Sequence, residues 1–405
     1  MKNTNYILSL SSALLLLFSC SNDDNKNNDP GTPTNPVETN SPNTTYTPAF
    51  QGQTRVQGLQ TNTSYEAKII TSTLTSPWGV KMLPDRKLLI TEKTGNMRIV
   101  KVTGEVSAPI TGIPAVNSTD QGGLLGLCLD PEFTANRMIY WVFSEPGNLT
   151  AVAKGKLSND EKTIEGATVI YRAIPANSST QHYGGRILFD KTGNLIVSTG
   201  ERSVLATRPL AQSVSAALGK VVRITKDGAP ASGNPVISGT GALPELYTLG
   251  HRNPQGLALH PVTDEIWLSE HGPRGGDEIN RLTSGKNYGW PIITYGIEYG
   301  GQKIGEGIQQ KEGMEQPVYY WDPVVSPSGM TFYSGERVPE WKNNLFIGAL
   351  SGKHIVRLAI ENNRVVGEER LLANQNQRFR DITQGNDGAL YAVTDEGRLY
   401  KIDKK

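Results

Sequence analysis

One short phrase recurs six times in this chain and limits the folds that the chain can adopt. Each copy has a turn with Asp, Asn or Gly, then three or four apolar or β-branched residues, then a small or acidic residue. The copies are LLITEKTG from Leu88, MIYWVFS from Met138, LIVSTGE from Leu195, IWLSEHG from Ile266, LFIGALSG from Leu345 and LYAVTDEG from Leu390. Most copies precede a second strand pattern in which Arg or Lys stands beside aliphatic residues. Each copy is therefore interpreted as part of an antiparallel meander.

This repetition favours an all-β fold. No stretch has a long apolar period of 3.6 residues with helix caps, whereas short strand patterns bounded by turn residues fill the chain. Six four-stranded sheets arranged radially protect their edges and suit a folded part of about 360 residues. We predict a six-bladed β-propeller of four-stranded antiparallel sheets, with function expected in the loops around one mouth of the central channel. A pair of β-sandwiches is the alternative architecture.

The N-terminus predicts export and lipid anchoring. Lys2 precedes an apolar stretch, residues 6–18, that is too short to span a bilayer but suits a secretory signal. The stretch ends in Leu-Phe-Ser-Cys20, which resembles a bacterial lipobox. We expect a signal peptide over 1–19, an acylated Cys20 followed by a disordered tether rich in Asn, Asp, Pro and Thr over 20–45, and the propeller over 46–405. These features predict an outer-membrane lipoprotein on the periplasmic side or the cell surface; an ordinary signal peptide with a chance cysteine is the alternative.

Charge and cysteine content exclude several classes of function. Forty basic and 39 acidic residues give a net charge of +1, so no global field favours nucleic acid or anionic membranes. We expect no nucleic-acid partner, and membrane contact only through the lipid anchor. The two cysteines cannot form a disulfide framework, and Cys128 lies in an apolar run typical of an inert core thiol.

Unusual polar residues stand in loops next to the repeated strands. Gln121 lies in a polar tip that precedes glycines, and His182 stands two residues before a Gly-Gly pair, where it is a candidate general base or a structural residue. None of the five histidines has metal-ligand spacing with another. Arg378 and Arg380 are two residues apart and share a face of a strand, which is unfavourable unless an anion lies between them.

The richest segment runs from residue 249 to residue 291. It contains GHRNPQG with Arg252 and Asn253, then EHGPRGGDE, then KNYGWP. The Gly-Pro-x-Gly-Gly loop exposes backbone carbonyls, and Asp277 and Glu278 add carboxylate oxygens, a combination that favours Ca²⁺ over softer metals. A tight turn with a solvated acid pair is the alternative.

As a set and in this order, these segments resemble the soluble pyrroloquinoline-quinone (PQQ) aldose sugar dehydrogenases, over roughly residues 65 to 403. The resemblance implies a six-bladed propeller that oxidises the anomeric hydroxyl of an aldose to a lactone, with PQQ and Ca²⁺ as cofactors and an external electron acceptor. It implies His182 as general base. Residues that would contact PQQ are Gln121, Arg252, Asn253, Arg378 and Arg380; carbonyls of Gly272 and Pro273 would hold the catalytic Ca²⁺, and Glu278 and Tyr288 match a second calcium site.

The chain departs from that family at one cofactor position. Ser351 stands where family members commonly carry a PQQ-binding lysine, and Lys353 is a candidate substitute on the same side of a strand. Trp321 is a candidate aromatic wall for the sugar. Two other functions stay open: a propeller that binds carbohydrate or another ligand without turnover, and a calcium-dependent lactonase-type hydrolase.

Overall fold

The computed structural model describes Met1 and residues 35–405. The predicted signal peptide, Cys20 and most of the predicted tether lie outside the described residues. Within the described part of the chain, no helix is long and apolar enough to cross a membrane.

In the described residues, twenty-three strands form six antiparallel sheets around a central channel, so the predicted six-bladed propeller is confirmed. Strand β1 (Tyr65–Thr71) precedes blade 1, which contains β2 (Pro77–Met82), β3 (Leu88–Glu92) and β4 (Asn96–Val100). Blade 2 contains β5 (Leu124–Leu129), β6 (Met138–Glu145), β7 (Leu149–Leu157) and β8 (Ile164–Arg172). Blade 3 contains β9 (Ile187–Phe189), β10 (Leu195–Thr199), β11 (Lys220–Ile224) and β12 (Leu246–Leu249).

Blades 4 to 6 repeat this meander. Blade 4 contains β13 (Pro254–Leu259), β14 (Ile266–Glu270), β15 (Asp277–Arg281) and β16 (Tyr319–Trp321). Blade 5 contains β17 (Pro327–Phe332), β18 (Leu345–Ala349), β19 (His354–Glu361) and β20 (Arg364–Leu371). Blade 6 contains β21 (Phe379–Gln384), β22 (Leu390–Thr394) and β23 (Leu399–Lys404). Over residues 35–405, helical structure is limited to α1 (Phe133–Asn136) and short 3₁₀ turns at Arg208–Ala211, Pro339–Trp341 and Ala373–Gln375.

The ring closes through the N-terminal strand. β1 pairs antiparallel with β23, with Tyr65 opposite Lys404, so the fourth strand of blade 6 comes from the start of the propeller. Blade 1 has three strands in the described residues and the other five blades have four. Because the first and last strands of the propeller pair in one sheet, main-chain hydrogen bonds between them close the ring.

Each copy of the repeated phrase is the second strand of its blade. These strands are buried on both faces, because one face packs against the preceding blade and the other against the following blade. In β18, Leu345 and Ile347 join the core shared with blade 4, whereas Phe346 joins the core shared with blade 6. Six such clusters connect the six blades in a ring. Burial on both faces produces the continuous apolar runs that reveal the repeat in the sequence.

The folded part begins earlier than the boundary expected at residue 45. Asp322 accepts hydrogen bonds from the main chain and side chain of Asn43 at 2.9 and 2.7 Å and from those of Thr44, both at 3.0 Å. Glu38 forms an ion pair with Arg370 at 2.8 Å. Residues 35–45 therefore pack on the propeller, and the expectation of a disordered tether over that stretch was wrong. Their polar composition serves hydrogen bonding to the outer strands rather than solvation alone.

Candidate active site

A cavity of about 450 Å³ lies where the loops of five blades meet at one mouth of the channel. Its size falls within the range of about 300–1,000 Å³ usual for small-molecule sites. It is lined by Ser76, Trp78, Lys93, Asp120, Gln121, Gln255, His271, Ser326, Leu350, Arg378, Arg380 and Asp395. Three of the predicted cofactor residues, Gln121, Arg378 and Arg380, are thus brought together.

His182 lies next to this cavity and is held from both sides. Its main-chain N–H donates to the side chain of Gln121 at 2.9 Å, and its ring Nδ1 lies 2.7 Å from Oε1 of Glu201. The glycines around it permit close approach, since a Cβ on Gly184 would lie 2.7 Å from the carbonyl of Ser198 and one on Gly200 only 2.1 Å from that of His182.

The electrostatics keep the imidazole neutral. Only 5% of His182 is exposed, and burial, with the charges of Arg252, Arg202 and Arg208, lowers its pKa well below the usual value. Burial raises the pKa of Glu201 to about 7, against the opposing effect of the same arginines. With Nδ1–H directed at Glu201, the Nε2 atom is left as the acceptor, and it makes no hydrogen bond among the described residues. This arrangement suits a general base.

Glu201 was not predicted from the sequence. It is the acidic residue at the end of the third copy of the repeated phrase, two residues after β10, and the fourth copy has an acidic residue, Glu270, at the end of β14. Glu270 also binds a histidine, His251, whose Nδ1 lies 2.9 Å away. There, Nε2 lies 2.8 Å from the hydroxyl of Thr248, so both ring nitrogens of His251 have partners and the residue is structural.

Arg252 and Asn253 lie between blades 3 and 4. Arg252 is 6% exposed and its Nη1 donates to the carbonyls of Gly272 and His271 at 2.7 and 3.2 Å. Asn253 accepts from the main chain of Gly184 at 3.1 Å. The buried Nε of Arg252 and Nδ2 of Asn253 have no hydrogen-bond partner in the described structure, which fits donors reserved for a ligand. Neither residue lines the large cavity.

The two arginines of blade 6 share an internal anion. Asp395 accepts from Nε of Arg378 at 2.9 Å and from Nε and Nη2 of Arg380 at 2.8 and 3.0 Å. Gln255 takes a further donor of Arg380 at 2.8 Å. We expected an anion between the two arginines, and the structure has one there: the carboxylate of Asp395, a residue of the chain itself. The Nη atoms of Arg378, whose side chain is 41% exposed, remain directed to no described residue.

A second, very small cavity of about 10 Å³ separates blade 4 from the segment that follows it. Gly272, Glu278 and Tyr288 line it together with Glu270 and Arg252. Burial and the neighbouring Glu270 raise the pKa of Glu278 well above its usual value, and both carboxylates accept from the amide of Asn280 at 3.1 Å. The space matches one water or ion, so two buried carboxylates and the main chain fit a cation there. Three predicted metal residues are therefore brought together; Pro273 lines neither cavity.

Asp277 is part of neither a solvated acid pair nor this cavity. It is buried and accepts from the main chain of Gly272 at 2.8 Å and from that of Val325 and Ser326 at 2.8 and 2.6 Å. It therefore fixes the Gly-Pro loop against blade 5. Among the described residues, no cluster of three His, Cys, Asp or Glu side chains could hold a metal, so a cation there would need main-chain oxygens.

The predicted positions of two residues were wrong. Trp321 is 2% exposed and packs in the core between blades 4 and 5, with its indole donating to Glu368 at 3.1 Å. It cannot contact a sugar. Lys353 and Ser351 lie in the turn between β18 and β19 rather than on a strand, and Lys353 does not line the large cavity. Ser351 Oγ is 2.8 Å from Ser326 Oγ instead.

Comparisons with known proteins agree with this geometry. The family model described as glucose / sorbosone dehydrogenase matches residues 74–401. The aldose sugar dehydrogenase YliI of Escherichia coli is 41% identical over 346 residues, which cover 84% of this chain and 92% of that protein. Quinoprotein glucose dehydrogenase B of Acinetobacter calcoaceticus is 27% identical over 423 residues, covering 84% and 87%.

Solved structures extend the likeness to three dimensions. The apo-form of the soluble aldose sugar dehydrogenase from Escherichia coli has a TM-score of 0.80 at 39% identity, covering 84% of this chain and 100% of that one. The PQQ-bound aldose sugar dehydrogenase from Streptomyces coelicolor has a TM-score of 0.70 at 26% identity, covering 85% and 99%. The chain therefore belongs to the glucose / sorbosone dehydrogenase family.

Proposed function

We propose that this protein oxidises the anomeric hydroxyl of aldose sugars to lactones, using PQQ and Ca²⁺ and passing the electrons to an external acceptor. The observation that carries the proposal is the buried pair of His182 and Glu201, whose imidazole Nε2 has no hydrogen-bond partner among residues 35–405, next to a cavity lined by three cations, Lys93, Arg378 and Arg380. A neutral base beside a cationic cavity suits proton removal from a neutral sugar next to a carboxylated cofactor.

The residues present fit both cofactors. Arg378, with Gln121, would hold PQQ carboxylates in the large cavity, and the unpartnered donors of Arg252 and Asn253 would face polar atoms of the cofactor. The carbonyls of Gly272 and Pro273 would hold Ca²⁺; the Gly272 oxygen would then be shared with Arg252. When bound, PQQ would take the anomeric hydrogen as hydride, and Ca²⁺ would polarise its quinone.

The chain's own part in the reaction is proton removal. His182 Nε2 would take the proton of the anomeric hydroxyl as the C–H bond breaks, and a positive charge would develop on the imidazole. Glu201, with Oε1 at 2.7 Å from Nδ1, would stabilise that charge and keep the ring in the orientation that presents Nε2. The main-chain bond from His182 to Gln121 would couple this orientation to the cavity wall.

The test is a dye-reduction assay on the full chain in detergent, with and without PQQ and Ca²⁺, across a panel of aldoses. Sugar-dependent reduction only in the reconstituted sample is expected. Bound PQQ without turnover of any sugar would instead favour the ligand-binding propeller. Hydrolysis of lactones without PQQ would favour the lactonase-type hydrolase. The structure supports that function less than the dehydrogenase, because the two acids of the cavity already have partners: Asp120 bonds to Thr180, and Asp395 bonds to Arg378 and Arg380.

We also propose that the protein is an exported lipoprotein of the outer membrane, acylated at Cys20. The support is the sequence alone: the apolar stretch over residues 6–18 and the lipobox-like Leu-Phe-Ser-Cys20. Labelling of growing cells with tagged palmitate should mark the wild-type protein and leave Cys20→Ala unlabelled. Equal labelling of both would contradict the anchor.

A further inference from the structure

The large cavity has a cation that the sequence did not single out. Lys93 lines it from the turn between β3 and β4, in blade 1, whereas Arg378 and Arg380 line it from blade 6. Blades 1 and 6 are neighbours in the ring and share a core. The three cations therefore belong to one wall of the cavity.

Lys93 has no carboxylate partner in the described part of the chain. Its ammonium donates to the main-chain carbonyl of Asp120, a neutral acceptor. Arg378 and Arg380, by contrast, share the carboxylate of Asp395. Asp120, whose side chain also lines the cavity, is hydrogen-bonded to Thr180. Charge compensation within the wall is thus incomplete, and Lys93 is the cation left without an ion pair.

The backbone of Lys93 is fixed on both sides. Its N–H donates to the carbonyl of Ser76 at 2.9 Å, and its own carbonyl accepts from Leu124 at 3.1 Å. A Cβ on Gly123 would lie 2.0 Å from that carbonyl, so only glycine allows the approach. The fold therefore fixes the main chain of Lys93, and the hydrogen bond to Asp120 holds the ammonium at the cavity wall, which reduces the entropy lost when an anion binds.

The surroundings also disfavour the charge in the absence of an anion. Burial lowers the pKa of Lys93, and the nearby Arg380 lowers it further, against the opposing effect of Asp395 and Asp120. The negative charge of a bound carboxylate would favour the charged ammonium and so oppose both effects. Lys353 has no such position, because it does not line the cavity.

We propose that Lys93 is a cofactor-binding residue that pairs with a carboxylate of PQQ, next to the carboxylate held by Arg378. The inference rests on the proposed function, since it takes PQQ as the ligand. It assigns the role expected for Lys353 to a residue from a different blade. Three carboxylates on one ligand would then meet cations from two neighbouring blades across their junction.

The experiment measures equilibrium binding of PQQ to the full chain in the presence of Ca²⁺ and the absence of sugar. Quenching of tryptophan fluorescence reports the binding. Lys93→Met keeps the length of the side chain but removes its charge, and should weaken PQQ binding about tenfold. Lys93→Arg should remain within about threefold of wild type. Lys353→Met is the matched control and should bind as wild type does.

The trimethyl ester of PQQ separates charge recognition from loop positioning. It lacks the carboxylate charges, so Lys93→Met and wild type should bind it equally. Equal weakening of acid and ester would mean that Lys93 only holds the Asp120 loop, and the proposal would be overturned. It would also be overturned if Lys93→Met bound PQQ normally while Arg378→Ala did not, or if Lys353→Met were the weakened variant. No binding of PQQ by wild type would reject the proposed function together with this inference.

Discussion

Replacing Glu201 by Gln tests the assignment of the base most directly. The substitution keeps the size of the side chain and an oxygen that can accept from Nδ1–H of His182, but it removes the negative charge. The two side chains are 6% and 2% exposed, so solvent contributes little screening to the pair. The main loss is therefore the attraction between the carboxylate and the imidazolium that forms in the transition state.

The magnitude follows from the geometry. Two unit charges about 4 Å apart interact by about 4 kcal/mol at an effective dielectric constant of about 20. Arg252, Arg208 and Arg202 lie near the same carboxylate and reduce its effect on the imidazolium. A net loss of about 2–3 kcal/mol corresponds to a decrease in kcat of about 30- to 150-fold, at about 1.4 kcal/mol per tenfold.

The pH profile gives an independent readout. Because the pKa of Glu201 is raised to about 7, its carboxylate is lost as the pH falls through 7, and kcat should fall with it. The Glu201→Gln enzyme should lack this limb. The assay is stopped-flow dye reduction by the PQQ-loaded enzyme at saturating sugar from about pH 5 to pH 9, a range chosen to bracket that titration.

The control variant is Glu369→Gln, which removes a carboxylate, 12% exposed, that pairs with Arg357 at 2.7 Å in the outer part of blade 5. It should lower the stability of the fold and leave the pH profile unchanged. The reasoning is refuted if Glu201→Gln retains kcat within about twofold and keeps the wild-type limb near pH 7.

Three further outcomes are expected. His182→Gln should lower kcat by about 10²–10⁴-fold while PQQ binding, measured by fluorescence quenching, stays at the wild-type level; unchanged turnover would remove His182 from its role. Trp321→Phe leaves Glu368 without one donor, so the free energy of unfolding in urea should fall by about 1–3 kcal/mol with KM for sugars unaltered, and a changed KM would contradict its burial. Asp381→Asn breaks a buried pair with Arg186, whose Nη1 lies 2.8 Å from the carboxylate, and should cost about 3–5 kcal/mol in the same unfolding assay; a loss below about 1 kcal/mol would show that the pair is dispensable.

The blade count could be predicted because every blade has one strand buried on both faces. The outer strands could not be predicted in the same way. Strand β1, with sequence YEAKIIT, is half-exposed and shows no clear alternation, so its pairing with β23 at the far end of the chain leaves no local signal. The prediction for residues 35–45 failed for a related reason. Polar segments that hydrogen-bond to a folded domain and polar segments in solvent can have the same composition.

The candidate site was predicted in part. Motifs identified the residues around His182, but not their partners on other strands. Asp395 lies opposite Arg378 because Phe379 pairs with Thr394 across the β21–β22 hairpin. The register of that hairpin, applied to the sequence, would have found it. Trp321 was misplaced because an aromatic run shows that a strand is apolar without showing whether its side chains face the channel or the neighbouring blade.

The same local design occurs twice in this propeller, with different consequences. In blades 3 and 4 a glutamate at the end of the second strand or two residues after it, Glu270 or Glu201, binds Nδ1 of a histidine from a glycine-containing loop. Nε2 of His251 hydrogen-bonds to the hydroxyl of Thr248, and the ring stacks on Tyr288 with ring centroids 4.9 Å apart. His182 lacks such a partner in the described structure and faces the cavity region instead. Both imidazoles bind a glutamate carboxylate through Nδ1. Their chemical roles therefore differ because only His182 has an Nε2 without a hydrogen-bond partner in the described structure.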